Sequence, residues 1–131
     1  LALLKNLKET YNLTIFLISH DLKKVASFCD TVAVMYLGRI VELIQASNLL
    51  SQSSHPYSKA LIGSIPISHP SQRKDTAKPI QGEVPSPINL PPGCAFHRRC
   101  AESLQECDKV IPSLKSLESQ NHQIACHLFN Q

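Results

Sequence analysis

Hydrophobic positions recur at helical spacing where the chain opens. Leu1, Leu4, Leu7 and Tyr11 alternate with Lys5, Lys8 and Glu9, which predicts an amphipathic helix stopped at Asn12. Residues 14–18 (TIFLI) form a continuous apolar run rich in β-branched side chains, the pattern of a short strand buried on both faces. Asp21 is placed to cap a second helix reaching about Cys29, with Leu22, Val25, Ala26 and Cys29 along one face. Thr31–Tyr36 reads as a strand, Leu37 and Gly38 as a tight turn, and residues 39–43 as the hairpin partner. Residues 48–52 and 56–65 read as helical, the second with Pro56 in its first turn. Strands alternating with helices make the expected class α/β.

Proline changes the picture after residue 55. Eight of the nine prolines fall between residues 56 and 92, and only six of the 28 residues in 66–93 are apolar. That stretch reads as an extended linker. The chain therefore divides into compact α/β structure over 1–65, a proline-rich linker over 66–93 and a cysteine-rich module over 94–131.

Charge excludes one class of partner. The 131 residues carry 13 Lys and Arg against 10 Asp and Glu, a net +3 with no basic stripe, so phosphate-driven nucleic-acid binding is not expected. The apolar run at residues 15–18 is far shorter than the roughly 18 residues of a membrane span. No basic segment precedes a hydrophobic one, so no signal peptide is expected. The first residue is Leu1 and the single methionine is Met35, which suggests a piece of a longer chain.

Ser19, His20 and Asp21 place three polar groups at the carboxyl end of the expected strand, the edge where open α/β sheets bind ligands. Three consecutive residues cannot converge as a Ser-His-Asp triad. Taken alone, the tripeptide reads as a capping Asp21 beside an exposed His20. The wider stretch, TIFLISHDL at 14–22 followed by VAVMYLGRIVE at 32–42, closely resembles the end of an ABC transporter ATPase domain. By that resemblance His20 is the switch histidine that contacts the ATP γ-phosphate, and residues 1–65 are the closing part of a P-loop ATPase domain. The chain holds no Gly-x-x-x-x-Gly-Lys-Ser/Thr, no Leu-Ser-Gly-Gly-Gln and no apolar run ending in Asp-Glu. Phosphoryl transfer depends on those parts, so these residues alone are not expected to hydrolyse ATP.

His55-Pro56-Tyr57, with Ser58, Lys59, Ala60 and Leu61, resembles the segment opening the C-terminal extension of oligopeptide/dipeptide (and nickel) transporter ATPases. GEVPSPIN at 82–89 and the following Pro92, Gly93 and Cys94 extend the likeness, most closely to the second ATPase subunit of the peptide importers.

Cys94, Cys100, Cys107 and Cys126 are separated by five, six and eighteen residues, while Cys29 stands apart on a helix face. Disulfides are disfavoured for thiols kept in the cytosol. A Cys₄ zinc site usually carries a Cys-x₂₋₄-Cys knuckle that this spacing lacks. A [4Fe–4S] cluster takes one thiolate per iron and tolerates wider spacing. Four reduced thiols without metal complete the alternatives, although a 38-residue module is small enough to need a staple. The family's extension has a Cys-x₅-Cys-x₆-Cys…Cys pattern that binds such a cluster in some members. By resemblance these four cysteines are its ligands, with Ala101 departing from the usual Pro after the second. Arg98 and Arg99 could offset the cluster's charge, and His97 and His127 are alternative zinc donors.

The resemblance implies an ATP-binding subunit, working with ATP and Mg²⁺, that couples hydrolysis to oligopeptide or dipeptide import. Its implied partners are a second ATPase subunit in a heterodimer, transmembrane permease subunits and, indirectly, a peptide-binding protein. Its implied place is the cytoplasmic face of the cell membrane. A competing expectation is a non-catalytic Cys₄ metal module, iron–sulfur or zinc, on an α/β scaffold.

Overall fold

The computed structural model describes residues 1–66, 80–117 and 119–129. Helix α1 (Ala2–Tyr11) ends where Asn12 adopts the left-handed conformation, φ 50°, and returns its N–H to the Lys8 carbonyl. Asparagine tolerates that conformation better than most residues, which is why the helix stops there. Helix α2 (Leu22–Phe28) starts from Asp21, whose carboxylate accepts the Lys24 N–H at 3.1 Å. Val25 and Phe28 are buried, and Leu22, Ala26 and Cys29 pack on the same core as expected.

Strands β1 (Thr31–Tyr36) and β2 (Arg39–Gln45) form the expected hairpin, joined by Leu37 and Gly38, both at positive φ. Alternation along β1 sends Val32, Val34 and Tyr36 inward. Opposite them on β2 lie Ile44, Glu42 and Arg39, with a bulge between Val34 and Met35. A short 3₁₀ turn (Ala46–Asn48) leads into α3 (Leu49–Gln52), and α4 follows as Pro56–Gly63.

The sheet continues across the proline-rich stretch. Strands β3 (Lys115–Leu117) and β4 (Ser119–Ile124) add to the hairpin in the order β1-β2-β4-β3, every pairing antiparallel. The cysteine-bearing segment thus shares one sheet with the N-terminal segment. Three rings reinforce the join: Phe96 lies 5.2 Å from both Tyr36 and Tyr57, which are 4.8 Å apart. Such edge-on pairs add about 0.5–1.5 kcal/mol each beyond the area they bury. Of the expected linker, residues 67–79 lie outside the described residues, and 80–93 carry no helix or strand.

Strands β3 and β4, in a segment expected to be irregular, and the apolar run at 14–18 both differ from expectation. Residues 14–18 form no strand, and Phe16 and Ile18 are 90% and 87% exposed. A strand needs a neighbour to complete its backbone hydrogen bonds. Among the described residues β1 pairs only with β2, so the apolar run has no ladder to join. Leu3 and Leu4 of α1 are likewise exposed.

Candidate functional site

His20 sits at a bend between the exposed apolar run and α2. Ser19 Oγ accepts the Asp21 N–H at 3.1 Å, and the Lys24 backbone N–H and ammonium hold the Asp21 carboxyl below its ordinary range. The two flanking residues are therefore occupied in shaping the helix start. His20 is left exposed on the wall of a broad cleft that also takes in Ile15, Leu17, Val25 and Tyr57. That is an accessible imidazole on a fixed turn, free to meet a phosphate oxygen. It is not a triad, as the geometry of consecutive residues requires.

Cysteines from separated stretches of the C-terminal segment lie close enough to influence one another electrostatically. Gly93 makes the closest approach possible. At φ +68° its backbone lies against the 107–109 turn, and Cys94 N–H donates to the Cys107 carbonyl at 2.7 Å. Cys94, Cys100 and Cys107 all act electrostatically on Cys126. Burial is the main influence on these thiols, raising Cys94 and Cys100 and pushing Cys126 up to about 11. Backbone amides oppose it: Phe96 and His97 face Cys94, Glu102 faces Cys100 and Leu128 faces Cys126. Leu104 N–H donates to Cys107 Sγ at 3.3 Å. Cys94, Cys100 and Cys126 thus each have an amide that favours the thiolate.

Among the described residues, no group of three or more His, Cys, Asp or Glu side chains is arranged to hold a metal ion. The cysteines are all free thiols, and Cys29 packs against the core as a small hydrophobe.

The basic residues around the thiols make contacts of their own. Arg99 donates to the Gln81 carbonyl and the Tyr36 hydroxyl, and Arg98 is exposed. The cation that favours the Cys94 thiolate is Arg39, which also reaches the Gly93 carbonyl at 3.4 Å. His97 Nδ1–H donates to the Cys94 carbonyl, and His127 Nε2–H donates to the Val110 carbonyl. Both histidines are committed to backbone partners.

Sequence reasoning missed the buried polar node around Glu42. Glu42 is 0% exposed, and its carboxylate accepts from Ser54 N at 2.6 Å, His55 N at 3.4 Å and His122 Nε2 at 2.7 Å. A carboxylate only accepts, so His122 carries its proton on Nε2. His55, 1% exposed, caps α4 by accepting the Tyr57 N–H on Nδ1. The His-Pro-Tyr segment is thus a structural joint: His55 caps, Pro56 supplies the first turn, and Tyr57 enters the three-ring cluster. His55 Nε2 and Ser58 Oγ are buried without a hydrogen-bond partner. Burial lowers His55 to about 4, with Lys59 adding to the effect and Glu42 and the Ala125 backbone opposing it.

Comparison with known proteins places these features. The family described as "Oligopeptide/dipeptide transporter, C-terminal region" matches residues 41–107, just over half of the chain. The chain is 40% identical over 132 residues to the oligopeptide transport ATP-binding protein AppF of Bacillus subtilis (strain 168), covering 98% of this chain and 39% of that protein. It is 41% identical over 128 residues to the "Probable peptide ABC transporter ATP-binding protein y4tS" of Sinorhizobium fredii, covering 98% of this chain and 36% of that protein. Nearly all of the chain is therefore similar to ATP-binding proteins of peptide transport, and it spans about two-fifths of their length. The chain belongs to the oligopeptide/dipeptide transporter C-terminal family.

Proposed function

We propose that these residues form the C-terminal portion of an ATP-binding subunit that couples ATP hydrolysis to peptide import. The observation that carries this reading is identity near 40%, over almost the whole chain, to ATP-binding proteins named for peptide transport. His20 is the residue assigned to the γ-phosphate of Mg²⁺-bound ATP. Its support is an exposed ring on a turn fixed by the Ser19 and Asp21 contacts. An imidazole N–H there can donate a hydrogen bond to a phosphate oxygen and orient the attacking water, a positioning role rather than covalent chemistry. In the full-length protein, His20→Ala is expected to lower ATP turnover on the order of 100-fold, as removal of one transition-state donor does. ATP affinity should change by less than about threefold, because the remaining phosphate contacts lie elsewhere. Undiminished turnover contradicts the assignment.

The surface offered by Phe16 and Ile18, beside the open edge of β1, is where the rest of such an ATPase would attach. A second ATPase subunit and membrane permease subunits are the partners this reading requires. No helix among the described residues is long and apolar enough to cross a membrane, which agrees with peripheral attachment at the cytoplasmic face.

The four cysteines fit a [4Fe–4S] cluster better than a single zinc ion. The wide spacing of the four, without a Cys-x₂₋₄-Cys knuckle, and the backbone amides beside their sulfurs support that choice. Cys94, Cys100, Cys107 and Cys126 would each supply one thiolate. The bound cluster would cross-link the extension, a role suited to a segment too small for a large core. Burial raises Cys94, Cys100 and Cys126, so loading must release protons there and is favoured as pH rises. Iron and acid-labile sulfide in anaerobically purified full-length protein are the direct assay.

A further inference from the structure

We propose that Glu42 is a positioning residue for the four-thiol site, acting through His122 to fix the register of β4 and so the place of Cys126. This inference rests on the four-thiol reading and extends it to a residue of the neighbouring strand β2.

The β2–β4 ladder is short. Only Glu42↔Ile124 and Leu43↔Gln123 are paired, with one further bond from Ala125 N–H to the Val41 carbonyl at 2.9 Å. Backbone pairing over so few residues specifies register weakly. Side chains must supply the rest. Glu42 and Ile124 face each other across the ladder, so His122, two residues before Ile124, lies diagonally on the same face and within reach. Its 2.7 Å contact with Glu42 is available in one register only. A slip of one residue would send His122 to the opposite face and leave the buried carboxylate short of a donor.

Glu42 is itself anchored from a third direction by the Ser54 and His55 amides. The node therefore ties the hairpin, the His-Pro-Tyr joint and β4 together. Cys126 lies two residues beyond the end of β4 and inherits its position from that strand. Cys94 and Cys107 are held by the Gly93 contact instead, which involves none of these residues. A buried carboxylate–imidazole pair is a poor source of net stability but an effective specifier of register.

The test uses the full-length protein without metal, measuring iodoacetamide modification of each cysteine by peptide mass spectrometry. Thermal unfolding is followed in parallel. Glu42→Ala is expected to speed modification of Cys126 at least about tenfold, with Cys94, Cys100 and Cys107 changing less than about threefold. His122→Phe keeps the ring volume and leaves Glu42 on its two amide donors. It should expose Cys126 selectively in a chain that still unfolds cooperatively, which guards against simple failure of Glu42→Ala to fold. The double variant Glu42→Gln/His122→Gln restores an amide hydrogen bond across the ladder and should return Cys126 toward the parent rate. Uniform acceleration at all four cysteines, or an unchanged Cys126 in folded His122→Phe, overturns the proposal. Iron and sulfide content of the parent protein is a separate readout. A parent that binds no cluster but shows the selective pattern refutes the cluster and retains the positioning role. A cluster-bearing parent with Cys126 unmoved does the reverse.

Discussion

Replacing Gly93 with alanine is expected to destabilise the chain by about 3 kcal/mol or more and to release the Cys94–Cys107 contact. Two costs combine. Alanine at φ +68° carries the left-handed penalty of about 1–2 kcal/mol. Its Cβ would also overlap the Cys107 carbonyl oxygen and lie 2.8 Å from both the Asp108 carbonyl carbon and the Lys109 nitrogen. Those are backbone atoms in a turn that cannot move without carrying Cys107 away, and overpacking of this kind costs about 1–3 kcal/mol. Gly38 is the internal control. It has φ +78° but nothing within 4 Å of its would-be Cβ, so Gly38→Ala should show the conformational penalty alone. Urea unfolding of the two variants beside the parent separates the terms of backbone strain and close approach. Equal losses at both glycines would mean that the Gly93 approach does not matter.

Acid should weaken the fold through His55. Burial holds this ring near 4, against 6.5 when unfolded. Above pH 6.5 both states hold the neutral ring, and the residue makes no pH-dependent contribution. Between 6.5 and about 4 only the unfolded chain takes up the proton, so stability falls as pH falls. The full loss, reached below about pH 4, is about 3 kcal/mol from a displacement of this size. His55→Asn keeps an acceptor for the Tyr57 N–H and removes the titration. Unfolding free energies measured from pH 7.5 down to 4 should show a shallower decline for the variant than for the parent. Parallel declines would place the acid sensitivity elsewhere.

The locally encoded parts of the fold were legible in the sequence. Asn12 stopping α1, Asp21 capping α2 and Leu37-Gly38 turning the hairpin each rest on a residue whose own chemistry sets the backbone. Residues 14–18 show the limit of such reasoning. An apolar run declares a need for burial but does not name its partner, and the described residues supply none. Strand β4 shows the opposite limit. Its SQNHQI sequence has little β character, and it becomes a strand because β2 and β3 offer ladders on both sides.

The site was half legible for the same reason. Family resemblance named four candidate ligands, and in the structure Cys94, Cys100 and Cys107 act electrostatically on Cys126. The residues that put them there were hidden. Glu42 looks like an ordinary outward polar residue in a hairpin, yet it faces Val34 and Ile124 on the inner side of a central strand. Arg39 rather than Arg98 or Arg99 supplies the cation, since a residue 55 positions before Cys94 is brought close only by the hairpin and Gly93. A Glu in an otherwise apolar strand, with histidines downstream, was the only sequence signal of the node.

The account turns on whether the cysteine-bearing segment of this chain is built as a four-thiolate site. Iron, acid-labile sulfide and zinc in full-length protein purified without oxygen measure that directly. About four iron and four sulfide per chain are expected, falling to background when Cys94, Cys100, Cys107 and Cys126 are replaced together by serine. Stoichiometric zinc without sulfide, or a colourless chain with no metal, would contradict it.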